Sequence, residues 1–533
     1  MTSASQGRLR AAIAVLAAGA ALIAGFSILN GIDPFDEGLM LQAARRIVSG
    51  QLPYRDFLWA YGPAQPYLQA ALFRLMGVSL LQWRVEWVAA CAGISVVAWL
   101  AVRDRAPGWV AITVWLAVAC EISEPRSADP SAPALLAVMA ALALATTGGA
   151  RARGAVPTAA SPSMTATPGA ARAAAAGLLV ALAAAFRIDF AAYGLAAVTL
   201  ALAAAGPRVR RRTLPALWGV ALAGSALVYL PFAIADGPVN LYRALIGNSL
   251  ATRAYWTLPF PLAFHAPPGA GLAKTAKKAL DFYVPLLAII GCALLVATAI
   301  GGRVQSASGR PARIGEPARE LGLAVLALGF LAYFTSRADA NHAQPLVVVV
   351  ATGLGLLAGT ARVRAPAVLL LALLALHGVA NRLSAALHPP AAASLRLAVA
   401  DGVQAPPAEA RAIERMVALV DANSTPRQPI YVLARRSDMV VFSDPLIYVL
   451  TERDNPTAQD FGLLSGAAAQ ARIVAVLARV RPRVLVRWTD PLSDTPEPNL
   501  RGRPSGVHTL DDWVAAHYRV LARLYHYTVL VER

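Results

Sequence analysis

The sequence has little charge and very few cysteines. Charged residues make up only 15% of its 533 residues, whereas 57% are hydrophobic, and the mean hydropathy is +0.54. This composition excludes an ordinary soluble globular protein and is typical of a chain with many membrane spans. The three cysteines, Cys91, Cys120 and Cys292, all lie in apolar runs, which argues against a disulfide framework.

Lysine is also scarce, although the formal net charge is +18. The basic residues do not form a stripe interleaved with aromatic residues, so nucleic acid is not expected as a partner. All the lysines lie in one segment, at Lys274, Lys277 and Lys278. Their helical spacing favours contact with anionic headgroups of membrane lipid, or contact of Lys274 with the phosphate of one bound lipid. The Lys-poor, Arg/Ala-rich usage favours a bacterial inner (cytoplasmic) membrane protein.

Eleven apolar stretches approach the length of about 20 residues that a membrane helix needs. The first follows Arg8 and Arg10 as a signal peptide would. Its apolar run is long for that role, however, and no cleavage site precedes the acidic residues beyond it, so we predict a helix. The predicted spans are 9–30, 80–102, 107–122, 131–147, 173–189, 190–206, 215–235, 280–301, 319–335, 343–360 and 365–385.

The arginines predict the orientation of these spans. With the N-terminus in the cytoplasm, every inward connection carries arginine, as the positive-inside rule expects. Representative inward arginines are Arg8, Arg103, Arg151, Arg208, Arg303 and Arg362. An odd number of spans then places the C-terminal portion outside the cytoplasm.

The chain divides into two predicted domains. Residues 1–385 form a polytopic α-helical membrane domain, and its first outer loop, 31–79, holds two amphipathic stretches, 37–49 and 63–76, that favour helices on the outer surface. Residues 386–533 form an extracytoplasmic α/β domain, because strand and helix patterns alternate there. The predicted strands are 429–434, 483–488 and 527–532, and the predicted helices are 408–420, 467–480 and 510–525.

The stretch GIDPFDEG, which follows the first span, places three carboxylates within five residues: Asp33, Asp36 and Glu37. One interpretation is structural, with Asp33 capping a helix and the two later acids complementing its dipole. The other is a general base at the membrane surface, which accepts the proton of a sugar hydroxyl while the bond to the anomeric carbon forms. On this hypothesis the helix N-terminus keeps the carboxylate ionised.

The acidic stretch is followed by Gly50, by the run Pro53-Tyr54-Arg55-Asp56 and by Tyr61-Gly62-Pro63. With these motifs, residues 33–77 resemble the first outer loop of the GT-C superfamily of membrane glycosyltransferases. Within it, they resemble bacterial relatives of the protein O-mannosyltransferases and of the lipid A aminoarabinose transferases. The distal stretches 452–461 and 478–486 are similar to those proteins as well.

The resemblance implies a GT-C-like fold and a glycosyltransferase, hexosyl- or pentosyl-, that takes its sugar from a polyprenyl-phosphate-linked donor at the outer face and inverts the anomeric configuration. It also implies that Asp36 is the catalytic base and Glu37 its neighbour, with Asp33 less favoured. Tyr54 and Arg55 then contact substrate. The acceptor, whether glycan, lipid or protein, stays open.

Three predicted outer turns combine arginine with aspartate at the ends of spans. A departing phosphate needs cations in a site of low dielectric constant, so these turns are candidate phosphate sites. The alternative is that each arginine pairs with its own aspartate and fixes the turn. Similarly, the histidine in the third turn either donates a hydrogen bond to the phosphate or forms a local hydrogen bond. The candidates are Arg126 and Asp129, Arg187 and Asp189, and Arg337, Asp339 and His342.

The sequence contains no ligand spacing typical of a metal site, although its paired acids leave a divalent ion open. It also lacks a nucleotide-binding Gly-rich loop, which fits a lipid-linked donor as co-substrate. Two other functions remain as alternatives: a transporter or flippase of a lipid-linked sugar, and a non-catalytic envelope assembly protein. Against transport, the charges gather at the outer ends of the spans, and neither half of the chain repeats the other.

Overall fold

The computed structural model describes residues 3–122, 129–146, 167–260, 264, 271–307, 316–460 and 464–533. Helices dominate these ranges up to residue 387. They are α1 Ser3–Gly25, α2 Asp36–Val48, α3 Ala64–Met76, α4 Leu80–Val102, α5 Gly108–Glu121, α6 Ser131–Thr146, α7 Thr167–Phe186, α8 Ile188–Ala204, α9 Pro207–Asp236, α10 Pro238–Tyr242, α11 Asn248–Ala251, α12 Arg253–Trp256, α13 Leu272–Ala307, α14 Glu316–Ser336, α15 Ala340–Leu357 and α16 Arg364–Leu387.

Each of the eleven predicted spans coincides with a helix. Within the described ranges, eight helices are long and apolar enough to cross a membrane, namely α1, α4, α7, α9, α13, α14, α15 and α16. Three apolar helices are shorter, with 14 residues in α5, 16 in α6 and 17 in α8. The chain is therefore a polytopic helical membrane protein. The two predicted surface helices are present as α2 and α3.

Small residues let the long helices approach one another closely. A Cβ added at Gly224 of α9 would lie 2.7 Å from the Cβ of Ala181 on α7. One added at Gly93 of α4 would lie 2.9 Å from Leu136 on α6. In lipid, packing of this kind replaces the hydrophobic driving force that holds soluble helices together.

One end of the helix bundle carries α2, α3 and the residues after 387, and we call it the C-terminal face. Two contacts define it. Asn30, beyond the end of α1, forms a β-bridge with Gln404, and the Gly62 N–H donates to the carbonyl of Phe186 at the end of α7. The starts of α4, α8 and α15 lie at the same face as the ends of α7 and α14. All the candidate site residues in the described ranges therefore come from this face.

The C-terminal region forms a mixed sheet with helices against it. Its elements are β1 Ala393–Ser394, β2 Gln404–Ala405, α17 Pro407–Asn423, β3 Tyr431–Leu433, α18 Leu446–Leu450, α19 Ala467–Val480, β4 Val484–Trp488, α20 Thr509–His517, β5 Tyr518–Leu524 and β6 Tyr527–Glu532. The sheet order is β3-β4-β6-β5. Strands β3 and β4 are parallel, whereas β6 is antiparallel to both of its neighbours. The predicted strands 429–434, 483–488 and 527–532 are confirmed.

The predicted helix over 510–525 is wrong in its second half. Helix α20 ends at His517, and Tyr518–Leu524 is the edge strand β5. Tyr518 pairs with Glu532 and Leu524 with Tyr527, so the last two strands form a hairpin with a tight turn in which Tyr525 has a φ of 44°. Hydrogen bonds to the neighbouring strand outweigh the local helical pattern here.

The C-terminal region packs directly on α2. The backbone of Leu446, at the start of α18, lies against Gly38, where a Cβ would come 2.8 Å from the Cα of Leu446. Beside it, Arg46 donates to both carboxylate oxygens of Asp460 at 2.6 and 2.8 Å, and both side chains are 3% exposed. The helix that begins at the acidic stretch is therefore held between the bundle and the C-terminal region.

Candidate active site

The acidic stretch forms the start of α2, and Asp33 caps it. Its Oδ1 accepts hydrogen bonds from the backbone N–H groups of Phe35 and Asp36, at 3.0 and 2.9 Å. These N–H groups at a helix start have no partner inside the helix. Asp33 thus serves the capping role and fixes the backbone that presents Asp36.

Glu37 forms a buried ion pair with Arg84 of α4. Arg84 donates to both of its carboxylate oxygens, at 2.7 and 2.9 Å, and both side chains are fully buried. Arg84 also donates to the carbonyls of Ile28 and Gly31. One guanidinium therefore joins α4, the end of the α1 segment and α2, so that Glu37 anchors the helix on which Asp36 lies.

Asp36 differs from its two acidic neighbours. Among the described residues, no side chain donates a hydrogen bond to its carboxylate, which is only partly exposed. Burial raises the pKa of Asp36 well above its usual value, and the charges of Asp33, Asp129 and Asp339 add to the rise, while Arg337 opposes it. The helix N-terminus therefore does not control its ionisation. The carboxyl group is a stronger base than an ordinary aspartate.

Arg187 lies at the junction of α7 and α8 and is 9% exposed. It donates to Asp189 through Nε and Nη2, at 3.1 and 2.8 Å, and to Asp129 through Nη1 at 2.9 Å. Nη1 also donates to the hydroxyl of Tyr333 at 3.2 Å, and the guanidinium lies 5.4 Å from the ring centre of Tyr61. The structure thus brings Asp129, Arg187 and Asp189 together.

Arg337 follows α14 and contacts the C-terminal region. Its Nε donates to Asp339 at 2.7 Å, and Nη1 and Nη2 donate to the two carboxylate oxygens of Glu497 at 3.1 and 2.9 Å. Nη1 donates as well to the carbonyl of Trp256 at 2.8 Å. The ion pair of Arg337 and Glu497 therefore links the third turn to a loop after β4. No local sequence pattern predicts this pair.

Asp339 caps α15 and binds the ring of His342. Its Oδ1 accepts from the His342 backbone N–H at 2.9 Å and lies 2.7 Å from Nδ1 of the same residue. Burial opposes ionisation of Asp339, but the hydrogen bond and charge of His342, together with Arg337, lower its pKa. The imidazole stacks on Tyr333, with ring centres 4.9 Å apart. Because Tyr333 also contacts Arg187, the second and third turns share one network.

Both guanidiniums are nearly saturated with acceptors. A guanidinium has five N–H groups, and four acceptor contacts surround each of Arg187 and Arg337 in the described residues. In this structure both arginines are therefore paired with acceptors of the same chain. A phosphate that took more than the one remaining N–H group of either arginine would have to displace an acceptor.

The remaining predicted residues are spread more widely. Tyr54 is buried and has a φ of 73°, and its hydroxyl donates to the Tyr61 carbonyl at 2.7 Å, so it shapes the loop before α3. Arg55 pairs with Asp56 at the surface. Lys274 is exposed at the start of α13. Arg126 lies outside the described residues.

Several contacts of the site were not foreseen from the sequence. Glu497 and Trp256 lie far from Arg337 along the chain, and no local pattern connects them to it. Tyr333 was detectable in principle, since it precedes Arg337 by one helical turn. Tyr61 belongs to the motif Tyr61-Gly62-Pro63, but the sequence indicates no role for its ring.

One group in the described residues has the geometry to hold a metal ion, and it lies in the C-terminal region. It comprises Asp438, His508 and Asp511. Arg436 already pairs with Asp438 at 2.7 Å, and Arg487 pairs with Asp511 at 2.7 Å. With both carboxylates neutralised by arginine, the group does not favour a cation.

Comparison with known proteins supports the fold. No model of a protein family matches the sequence, and neither does any curated protein. Among solved structures, ArnT from Cupriavidus metallidurans in the apo state is similar, with a TM-score of 0.54 and 14% identity over 99% of this chain and 98% of that one. The same protein bound to undecaprenyl phosphate matches with a TM-score of 0.54 and 13% identity, over the same shares of both chains.

An archaeal structure is similar over a smaller part of its length. The Archaeoglobus fulgidus oligosaccharyltransferase, tethered with an acceptor peptide that contains the NVT sequon, has a TM-score of 0.50 and 14% identity. The match covers 89% of this chain and 69% of that one. The chain therefore has an ArnT-like fold, and the fold class expected from the sequence, a polytopic helical membrane protein with a C-terminal α/β region, is confirmed.

Proposed function

We propose that this chain is a membrane glycosyltransferase that moves a sugar from a polyprenyl-phosphate-linked donor to an acceptor hydroxyl. The observation that carries the proposal is the state of Asp36, a carboxylate without a hydrogen-bonding partner among the described residues. It lies close enough to Asp129, Asp339 and Arg337 for their charges to act on its pKa. The fold shared with ArnT, which was solved with undecaprenyl phosphate, supports the same class of donor.

In the proposed reaction Asp36 is the general base. The acceptor oxygen attacks the anomeric carbon of the sugar while its proton passes to an Oδ of Asp36. The bond from the anomeric carbon to the phosphate oxygen breaks, and its electron pair leaves with the polyprenyl phosphate. Attack opposite the leaving group inverts the anomeric configuration. The raised pKa of Asp36 favours this transfer, because a stronger base accepts a weakly acidic proton more readily.

The charge on the departing phosphate is met by guanidinium groups. Arg337 lies within electrostatic reach of Asp36, and Arg187 is joined to it through Tyr333, His342 and Asp339. Cations fixed in a partly buried site stabilise a leaving phosphate better than mobile surface lysines do. In this proposal Asp189, Asp129 and Asp339 orient the arginines, and Lys274 attracts lipid headgroups at the rim. The site faces the extracytoplasmic side, as the arginine distribution predicts.

The test is transfer of labelled sugar from undecaprenyl-phosphate-linked hexoses and pentoses into bacterial membranes that contain the chain. Asp36→Asn should reduce transfer by about 100-fold or more, which is the usual contribution of a general base, without changing protein level. Asp104→Asn, at an exposed site at the other end of the bundle, is the matched control and should transfer normally.

Two outcomes would overturn the proposal. Full transfer by Asp36→Asn removes the base assignment. A wild-type chain that moves labelled lipid between leaflets of a vesicle but forms no glycosylated product is a transporter instead.

A further inference from the structure

A groove lies on the side of the C-terminal sheet that faces away from the helix bundle. One side of the sheet, with Val486 and Val529, shares its apolar core with the bundle. The opposite side, with Leu485 and Leu530, belongs to a separate core that α19 and α20 cover. On this second side a groove with a volume of ≈ 350 Å³ opens between α20 and β5, and we call it the distal groove. Sites for small molecules begin at about 300 Å³, so the groove can hold a small organic ligand.

The floor of the distal groove is apolar. Val514, Tyr518 and Leu530 line it and are 2%, 3% and 7% exposed, whereas Val520, also in the lining, is 39% exposed. The Tyr518 hydroxyl already donates to the Pro482 carbonyl at 2.7 Å, so it is not available to a ligand. The floor therefore offers mainly apolar contact.

Three arginines from three elements line the same groove. They are Arg487 of β4, Arg519 of β5 and Arg533 after β6. Asp511 is the one acidic residue among the described residues of the lining, and it pairs with Arg487 at 2.7 Å. Three guanidiniums against one carboxylate leave a formal charge of +2. A cleft lined by charge of one sign attracts ions of the other sign, so the distal groove favours an anion.

Most N–H groups of these arginines have no acceptor within the part of the chain that the structure describes. Arg519 is exposed, and its side chain has neither a hydrogen bond nor an ion pair there. Arg487 bonds through Nη1 alone, and Arg533 bonds through Nε and Nη2. Arg187 and Arg337 differ, since four acceptor contacts surround each of them. The distal groove thus presents guanidinium donors that a carboxylate or a phosphate can take directly.

Protection of the sheet edge explains only part of this arrangement. Charged side chains on an edge strand hinder its pairing with another chain, and this accounts for Arg523, which is exposed on β5 outside the groove. Arg487, however, lies on the central strand β4, and its side chain is 20% exposed. Edge protection therefore does not account for the convergence of Arg487, Arg519 and Arg533 on one groove.

We propose that the distal groove binds a soluble organic anion, in which one carboxylate or phosphate group is attached to an apolar body. The anionic group binds Arg487 and Arg519, and the apolar body covers Val514 and Leu530. Because the groove faces away from the bundle, the ligand reaches it from the aqueous phase and not from the bilayer. None of the candidate active-site residues in the described ranges lines the groove, so the inference does not rest on the proposed function.

The test is calorimetric titration of the full-length chain in phosphatidylcholine nanodiscs with three probes. Phenyl phosphate carries both an anionic group and an apolar body. Inorganic phosphate lacks the body, and phenol lacks the anionic group. We expect phenyl phosphate to bind about tenfold or more tightly than either of the others, because the guanidiniums and the apolar floor both contribute.

Three variants locate this binding. Arg519→Gln should raise the Kd for phenyl phosphate about three- to tenfold through loss of a charged donor, and the exposed position leaves the fold intact. Val520→Glu adds a negative charge to the groove and should abolish measurable binding. Arg523→Gln removes the same charge from an exposed position of the same strand, and this matched control should bind as the wild type does. Thermal unfolding of each chain verifies the fold.

Three results would overturn the proposal. Phenyl phosphate binding that is unchanged in Arg519→Gln places the anion elsewhere. An equal loss in Arg523→Gln and Arg519→Gln indicates general attraction by surface charge and no site. If wild-type nanodiscs sediment with added phosphatidylglycerol vesicles and Arg519→Gln nanodiscs do not, the groove takes a lipid headgroup instead of a soluble ligand. Sugar transfer is not a readout here, so failure of this proposal and failure of the transferase assignment are separate results.

Discussion

At the scale of single residues, three neighbouring carboxylates have three different environments. Asp33 accepts backbone hydrogen bonds, Glu37 is paired with Arg84, and Asp36 has neither kind of partner in the described residues. The capping interpretation of the acidic stretch and the catalytic one are therefore not exclusive. Two acids fix the helix start, and the third is left available for chemistry.

The environment of Asp36 predicts a pH dependence. Burial and then the charge of Asp33 raise its pKa. A general base acts in its ionised form, so transferase activity should be present above the raised pKa and be lost as the pH falls through it. Asp33→Asn keeps the capping oxygen but removes a negative charge, so the acidic limb of kcat/KM should move to lower pH. Asp104→Asn should leave the limb in place. A limb that does not move in Asp33→Asn would show that another group titrates.

Glu37 predicts an effect on stability instead. Substituting Gln for Glu37 leaves the Arg84 guanidinium buried without a counter-charge, and loss of one partner of a buried ion pair costs about 3–5 kcal/mol. We expect Glu37→Gln to lower the thermal midpoint of the detergent-solubilised chain and to reduce its level in membranes. Glu532→Gln, at an exposed end of β6, provides the comparison. A Glu37→Gln chain of normal stability that lacked activity would favour direct participation of Glu37 in catalysis.

At the scale of elements, Gly38 is explained by the contact between α2 and α18. Glycine weakens a helix by about 1 kcal/mol relative to alanine, so its place in the first turn of α2 needs a tertiary explanation. The backbone of Leu446 occupies the space that a Cβ would need. Gly38→Ala should therefore destabilise the chain despite its better helix propensity, and should reduce transfer, because α18 or α2 must move. Gly7→Ala, where a Cβ meets nothing within 4 Å, should be tolerated. Equal tolerance at Gly38 would mean that the two helices are not in firm contact.

Some helices, strands and ion pairs of this chain could be predicted from the sequence, and others could not. Long apolar runs place α4 and α16 within two residues, because a membrane helix satisfies its own backbone and needs no distant partner. The strand β5 could not be foreseen, since Tyr518–Leu524 pairs with β6 rather than with its own helical turn. Arg187 and Asp189, two residues apart, form the ion pair that the sequence offered as the alternative to a phosphate site at that turn. The link from Arg187 to Asp129 depends on tertiary packing.

At the scale of the whole molecule, the C-terminal region completes the site. Phe442 stacks on Trp256, with ring centres 5.3 Å apart, and also contacts Phe35, which precedes Asp36. The Asn499 amide donates to the Thr257 carbonyl at 3.2 Å. These contacts surround the ion pair of Arg337 and Glu497. Residues of both parts of the chain therefore surround Arg337.

The charge of Glu497 beside Arg337 should affect the binding of a phosphate. It occupies both terminal nitrogens of Arg337 and also pairs with Arg501 at 2.5 Å. Although burial opposes its ionisation, hydrogen bonds from Arg337 and Asn499 lower its pKa. Glu497 is thus an ionised carboxylate on the arginine to which we assign the phosphate in the proposed reaction.

Removing that charge should therefore favour the ligand. Glu497→Gln should bind undecaprenyl phosphate roughly fivefold more tightly, a modest gain because the amide still accepts one hydrogen bond. Titration of the full-length chain in nanodiscs measures the change, with Glu532→Gln as the control and thermal unfolding to verify the fold. Weaker binding by a folded Glu497→Gln chain would instead mean that the carboxylate aligns Arg337 for the phosphate, since displacement and alignment change the Kd in opposite directions.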